Sequence, residues 1–215
     1  MYVDAFTIAA VADEVRMTTL GGRVQEVMVV DSLSLGFEIY ALGRRHYLLM
    51  SADPRLARVH LAQGRLRRCV DVATPLLLLL RKWVRGARFM SIEQPPFERI
   101  LRLRFEHPEQ GVCALLIECM GRHSNIVLLD ANDTILECIK RVGADVNRYR
   151  VTLPKQPYVS PPPQEKWPPD QLTELRVREV IAAGKPGEPA WKLLVRGIQG
   201  VSPLLAREIC HRAWD

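Results

Sequence analysis

The sequence predicts an α+β domain built of antiparallel β-sheets with two main helices, followed by a small all-α domain. Three observations carry this expectation. Segments with strand period recur between Val24 and Lys140, one helical pattern precedes them and one interrupts them, and seven prolines in the sixteen residues from Pro154 to Pro169 separate this part from a helical tail. A chain of 215 residues can bury one sizeable core and a small second one. Residues 1–153 are therefore read as the α+β domain, 154–169 as a semi-rigid connector with few contacts, and 170–215 as the helical region.

Each element has its own signal. Ile8, Ala12, Val15 and Thr19 recur at helical spacing between Asp4 and Leu20, and Gly21-Gly22 stops that segment. Val24 to Val30 is rich in β-branched residues; Leu35, Phe37, Ile39 and Ala41 alternate, and Gly43 turns the chain into Tyr47–Met50. Ser51 to His60 reads as a turn and a short helix lined with arginine. Thr74-Pro75 opens a helix to about Gly86, with Arg81, Lys82 and Arg85 near its negative end. Ile100, Arg102 and Arg104 then face away from Leu101, Leu103 and Phe105, and Val112 to Cys119 is a buried-type strand. Ile126–Leu129 and Thr134–Lys140 flank a hairpin turn at Asp130-Ala131-Asn132-Asp133. Helical periodicity resumes at Asp170, breaks across Gly184 to Pro189, and continues from Ala190 to Trp214.

Composition narrows the function classes. No apolar run, Leu76 to Leu80 among them, approaches the roughly 20 residues a membrane helix needs, and no basic segment precedes Ala5–Ala12 as in a secretory signal. Five cysteines, odd in number and without CxxC spacing, point to a reducing cytosol rather than to disulfides or zinc. No Walker A or GxGxxG pattern occurs, and Ile135 stands where a calcium loop starting at Asp130 needs glycine. His123 and Ser124 point to opposite faces of extended chain with no acid placed to orient the imidazole. The expectation is a cytoplasmic protein that is not an enzyme, with no cofactor, metal, membrane or small-molecule substrate. Charge supplies a positive clue. Between Arg44 and Arg104 fourteen Arg or Lys stand against four acids, a net of +10; the whole chain is +6, so the remainder sums to −4. With 24 Arg and 6 Lys, the cations suit bidentate phosphate contacts and base stacking, hence RNA.

Five motifs offer candidate contacts. Leu193 to Ala206, with Gly197 and Gly200 in a Gly-x-x-Gly turn, resembles a helix-hairpin-helix whose second helix start could cradle a phosphate; a plain αα-hairpin is the alternative. Gly121-Arg122-His123-Ser124-Asn125 is a polar turn between buried strands, either a backbone-organising turn or an RNA contact through Arg122, His123 and Asn125. Pro95-Pro96-Phe97-Glu98-Arg99 turns into a basic strand carrying Arg102 and Arg104. Arg55 and Arg58 line the Ser51–His60 segment, and Asn147-Arg148-Tyr149-Arg150 mixes aromatic and basic residues as base-stacking surfaces do, with a solvated strand end as the alternative.

Taken together and in order, these pieces resemble the NFACT family. Asp4-Ala5-Phe6-Thr7, Leu20-Gly21-Gly22-Arg23, Ser51-Ala52-x-Pro54-x-x-Ala57-Arg58-x-His60, Ser91-Ile92-Glu93-Gln94, Gly121 to Asn125 and Asn147 to Arg150 all look like its NFACT-N domain, long labelled fibronectin-binding protein A. The resemblance implies a ribosome-quality-control factor. Family members bind the large ribosomal subunit obstructed by peptidyl-tRNA and recruit tRNA, alanyl-tRNA in bacteria, for untemplated C-terminal tailing of the stalled chain. It also implies that Glu98 and Arg99 bind tRNA, since they match the family's Asp-Arg pair; Glu for Asp keeps the charge and lengthens the arm. Members continue into a coiled coil and an NFACT-R domain, and without sustained heptads here the chain is expected to be a fragment. The old family name implies an alternative, a fibronectin-binding surface adhesin. A second alternative follows because NFACT-N resembles the amino-terminal domain of formamidopyrimidine-DNA glycosylases, which also precedes a helical hairpin domain. Those enzymes use an N-terminal proline amine, whereas this chain opens Met1-Tyr2-Val3, which leaves a DNA-binding relative without catalysis.

Overall fold

A computed structural model describes residues 3–67 and 73–213. Its first helix, α1 (Ala5–Thr19), starts where the Asp4 carboxylate accepts the Thr7 amide at 2.8 Å, and it buries Ile8, Ala12, Val15 and Thr19. Among the described residues nine strands follow: β1 (Arg23–Asp31), β2 (Ser34–Ala41), β3 (Arg44–Ser51), β4 (Arg58–Ala62), β5 (Arg88–Glu93), β6 (Ile100–His107), β7 (Gly111–Glu118), β8 (Asn125–Leu129) and β9 (Ile135–Cys138). Helix α2 (Pro75–Trp83) lies between β4 and β5, capped by Thr74 with Pro75 in its first turn.

The strands form a single antiparallel sheet in the order β4-β3-β2-β1-β5-β6-β7-β8-β9, where the sequence suggested more than one. The appearance of two sheets has a physical origin at the β1–β5 junction, where only Arg23 and Arg88 pair in register. There the sheet folds over. Phe37 of β2 meets Phe105 of β6 edge-on at 5.9 Å, and Phe89 of β5 stacks on Phe105 at 5.2 Å, so the inner faces of both halves share one core with α1 and α2.

Three local expectations need correction. Ser51–His60 contains no helix: the Asp53 carboxylate accepts the Arg55 and Leu56 amides, closing a turn, and the chain then pairs with β3 as the edge strand β4. β5, absent from the expected elements, shows no strand period because a bulge between Phe89 and Ser91 leaves its buried residues, Phe89 and Ile92, at helical rather than strand spacing. The connector carries many contacts, not few. Prolines leave few backbone donors, and the polar groups that remain bond largely to the sheet: Gln156 and Lys155 pair with Ile135, and the Tyr158 amide donates to Asp133 O at 2.9 Å. Tyr158 also covers a second cluster on the outer face, formed by Ile100, Ala114, Leu116, Val127, Leu129, Ile135 and Cys138.

The tail forms α3 (Glu174–Ala182), α4 (Ala190–Gly197) and α5 (Pro203–Arg212) around Leu194, Ile198 and Ala206. Among the described residues no helix is long and apolar enough to cross a membrane.

Candidate functional site

A cleft of about 370 Å³ opens where the loops of the sheet meet the tail. Its walls bring together Arg55 from the turn before β4, Glu98 and Arg99 from the turn before β6, Gly121 after β7, and Gly200 from the α4–α5 turn. Four motifs separated along the chain thus converge. Lys166 of the connector joins them, a residue outside the sequence motifs; its one signal in the sequence is being the sole cation between Lys155 and Arg176. Burial, reinforced by the Arg99 charge and partly opposed by Glu98, pushes the Lys166 ammonium below the usual lysine range.

The cleft is held by specific bonds. Gln94 Nε2 donates to the Glu98 carbonyl at 2.7 Å and to the Ala5 carbonyl at 2.8 Å, tying the turn to α1. Phe97 adopts a left-handed φ of 54°, which places Glu98 and Arg99 at the strand mouth. On the tail side, the Ser202 hydroxyl donates to Asp4 Oδ2 at 3.0 Å, and the Ala5 amide donates to the Gly200 carbonyl at 3.2 Å. One internal carboxylate, Asp4, therefore sits at the starts of both α1 and α5. The glycines of the turn serve close packing. A Cβ on Gly200 (φ +76°) would lie 2.8 Å from Ala5 Cβ, and one on Gly197 would lie 2.6 Å from Val180 Cγ1.

A smaller depression of about 160 Å³ unites the Gly121–Asn125 and Asn147–Arg150 motifs. Arg122 and His123 are exposed, with Arg122 Nε donating to His123 Nε2 at 2.9 Å. Asn125 is buried: its amide nitrogen donates to Lys140 O at 2.8 Å, and its oxygen accepts the Ile126 and Lys140 amides, so it organises backbone. Arg148 and Tyr149 stand exposed, whereas Arg150 is drawn inward onto Glu118. On β6 the alternation read from sequence holds, with Arg104 exposed; Arg102, on the same face, is paired with Asp133. Arg55 is exposed and half-buried Arg58 donates to Leu56 O at 2.9 Å.

Comparison with known proteins places this geometry in context. The family model for the NFACT N-terminal and middle domains matches residues 4–214. The chain is 32% identical over 219 residues to the Rqc2 homolog RqcH of Bacillus subtilis, a match covering 99% of the chain and 38% of that relative. It is 33% identical over 186 residues to the Rqc2 homolog RqcH of Streptococcus pneumoniae, covering 84% of the chain and 34% of the relative. The chain thus spans little more than a third of the length of these curated relatives. Among solved structures, the N-terminal domain of fibronectin-binding protein PavA from Streptococcus pneumoniae superposes with a TM-score of 0.85 at 30% identity, covering 98% of this chain and 79% of that one.

Proposed function

Because the chain belongs to the NFACT family, we propose that it is the RNA-binding module of a ribosome-associated quality control factor. In this reading it binds large ribosomal subunits obstructed by peptidyl-tRNA. There it recruits tRNA, alanyl-tRNA in bacteria, for untemplated C-terminal tailing of the stalled chain. The observation that carries the reading is the cleft, where the acid–arginine pair matching the family's tRNA-recognition pair stands beside Arg55 and Lys166. Glu98 supplies an acceptor and Arg99 a fork of donors, while the two further cations favour a polyanion.

Arg104, Arg55, Arg58, Arg122 and His123 are the further candidates for phosphate contact, and exposed Tyr149 beside Arg148 offers a stacking platform. Arg102, Arg150 and Asn125 are assigned lesser parts, since each already serves an internal partner. Residues 170–215 are assigned as a helix-hairpin-helix unit, supported by α4, the turn at Gly200 and α5. With Asp4 and Ser202 at the start of α5, its contribution is to brace the cleft rather than to cradle a phosphate. The work is cytosolic, in keeping with the free, buried thiols of Cys113, Cys119 and Cys138.

The test is sedimentation of the full-length protein with split large subunits, followed by identification of the co-purifying tRNA. Enrichment of one tRNA species with obstructed subunits is expected. An absence of both subunits and tRNA, together with retention on immobilised fibronectin, would replace this reading with the adhesin one that the name fibronectin-binding protein PavA suggests.

A further inference from the structure

The tip of the α4–α5 turn touches the acid of the cleft. Gln199 Nε2 lies 3.1 Å from Glu98 Oε1 and 3.4 Å from the Pro96 carbonyl oxygen, across about a hundred residues of sequence. The amide side chain stands on a fixed base, because the Gln199 backbone N–H donates to Trp167 O at 2.9 Å. The next residue, Gly200, is pressed against Phe97, with its Cα so placed that a Cβ would sit 3.1 Å from Phe97 O. Phe97 itself holds a left-handed backbone, a conformation that persists only where its surroundings enforce it. Gln94 grips the same turn through the Glu98 carbonyl. Among the described residues Gln199 is the one side chain that donates a hydrogen bond to the Glu98 carboxylate.

We infer that Gln199 is a positioning residue for RNA recognition: it orients the Glu98 carboxylate from the helical tail and leaves Oε2 for a donor on the bound RNA. This rests on the tRNA reading of the cleft. An amide suits the task because it directs one carboxylate oxygen without cancelling the charge, as an arginine or lysine would. It also makes the tail part of the recognition apparatus, since the side chain that sets the acid comes from the α4–α5 turn while the acid comes from the sheet.

The experiment measures tRNA affinity and tRNA selectivity of the full-length protein with Gln199→Ala and Gln199→Glu. Gln199→Ala should weaken binding of the preferred tRNA by roughly tenfold, the low end for a hydrogen bond to a charged group, and reduce selectivity, with melting unchanged. Gln199→Glu places two carboxylates within about 3 Å of each other. Its affinity should be lower still at pH 7.5 and recover as the pH falls, because like charges raise one carboxylate's pKa and protonation restores a donor. Arg55, Arg99, Lys166 and Asp4 are the other charged groups on the cleft. Wild-type affinity and selectivity in Gln199→Ala, or a Gln199→Glu affinity that tracks wild type at every pH, would overturn the inference and leave the tRNA reading standing. Failure of the wild-type protein to take tRNA at all would remove the reading and this inference together.

Discussion

Arg150 grips Glu118 through two nitrogens, Nη2 at 2.5 Å from Oε1 and Nη1 at 3.4 Å from Oε2, with 12% of the arginine side chain and 2% of the glutamate exposed. The Tyr158 hydroxyl donates to the same Oε1 at 2.7 Å, and Arg150 Nε donates to the Val159 carbonyl at 2.7 Å. The arginine that closes the Asn147–Arg150 motif thus fastens the connector to the end of β7. Arg150→Ala would leave a buried carboxylate without its cation, a loss of about 3–5 kcal/mol. We expect a melting temperature lower by on the order of ten degrees, while exposed Arg148→Ala melts like wild type. Equal melting of the Arg150→Ala and Arg148→Ala proteins would contradict this division of roles.

Arg99 and Arg104 should separate recognition from general attraction. We expect Arg99→Ala in the full-length protein to keep ribosome association and lose tRNA recruitment and tailing. Arg104→Ala should weaken all RNAs alike and lower the log–log salt slope by roughly one. Arg102→Ala should change that slope less, because Arg102 is paired with Asp133. Co-purification of subunits and tRNA with each variant decides the matter; wild-type tRNA occupancy in Arg99→Ala would remove Arg99 from the tRNA assignment.

The tail can be tested by removal. Among the described residues the main core draws none from beyond Ile139, whereas the tail packs around its own Leu194, Ile198 and Ala206. A chain ending at residue 169 should therefore still melt cooperatively, at a lower temperature for want of the Ser202–Asp4 and Gly200–Ala5 bonds. Gly200→Ala should reproduce part of that loss, about 1–3 kcal/mol, from its positive φ and the close approach of Ala5. A gradual, non-cooperative transition in the shortened chain would show that the sheet depends on the tail.

Thiol chemistry gives an independent check on packing. Burial pushes the Cys113, Cys119 and Cys138 thiols up to about 12, so almost no thiolate is present at neutral pH. Site-mapped alkylation of the native protein should leave these three unmodified while half-buried Cys210 reacts. Rapid native labelling of Cys119 would mean that the cleft opens to the core beneath it.

Elements whose signals are local could be read before folding. Helix α1 follows from Asp4, the 3.6-residue spacing of Ile8, Ala12, Val15 and Thr19, and Gly21; the β8–β9 hairpin follows from Asp130–Asp133; and on β6 the alternation of Leu101, Leu103 and Phe105 with Arg102 and Arg104 settles which side faces the core. Motif order was enough to point to the NFACT family, and the family match over residues 4–214 agrees. Other features could not be read this way. β4 exists because β3 offers it an edge, and β5 hides behind a bulge. Lys166 and Gln199 reach the cleft from connector and tail, and Arg102 and Arg150 are engaged by Asp133 and Glu118, partners 31 and 32 residues away. Sequence periodicity records the environment a residue shares with its near neighbours, so it determines helices, hairpins and strand faces. Which arginines are engaged internally depends on acids brought alongside by the folded sheet, and only the tertiary structure decides that.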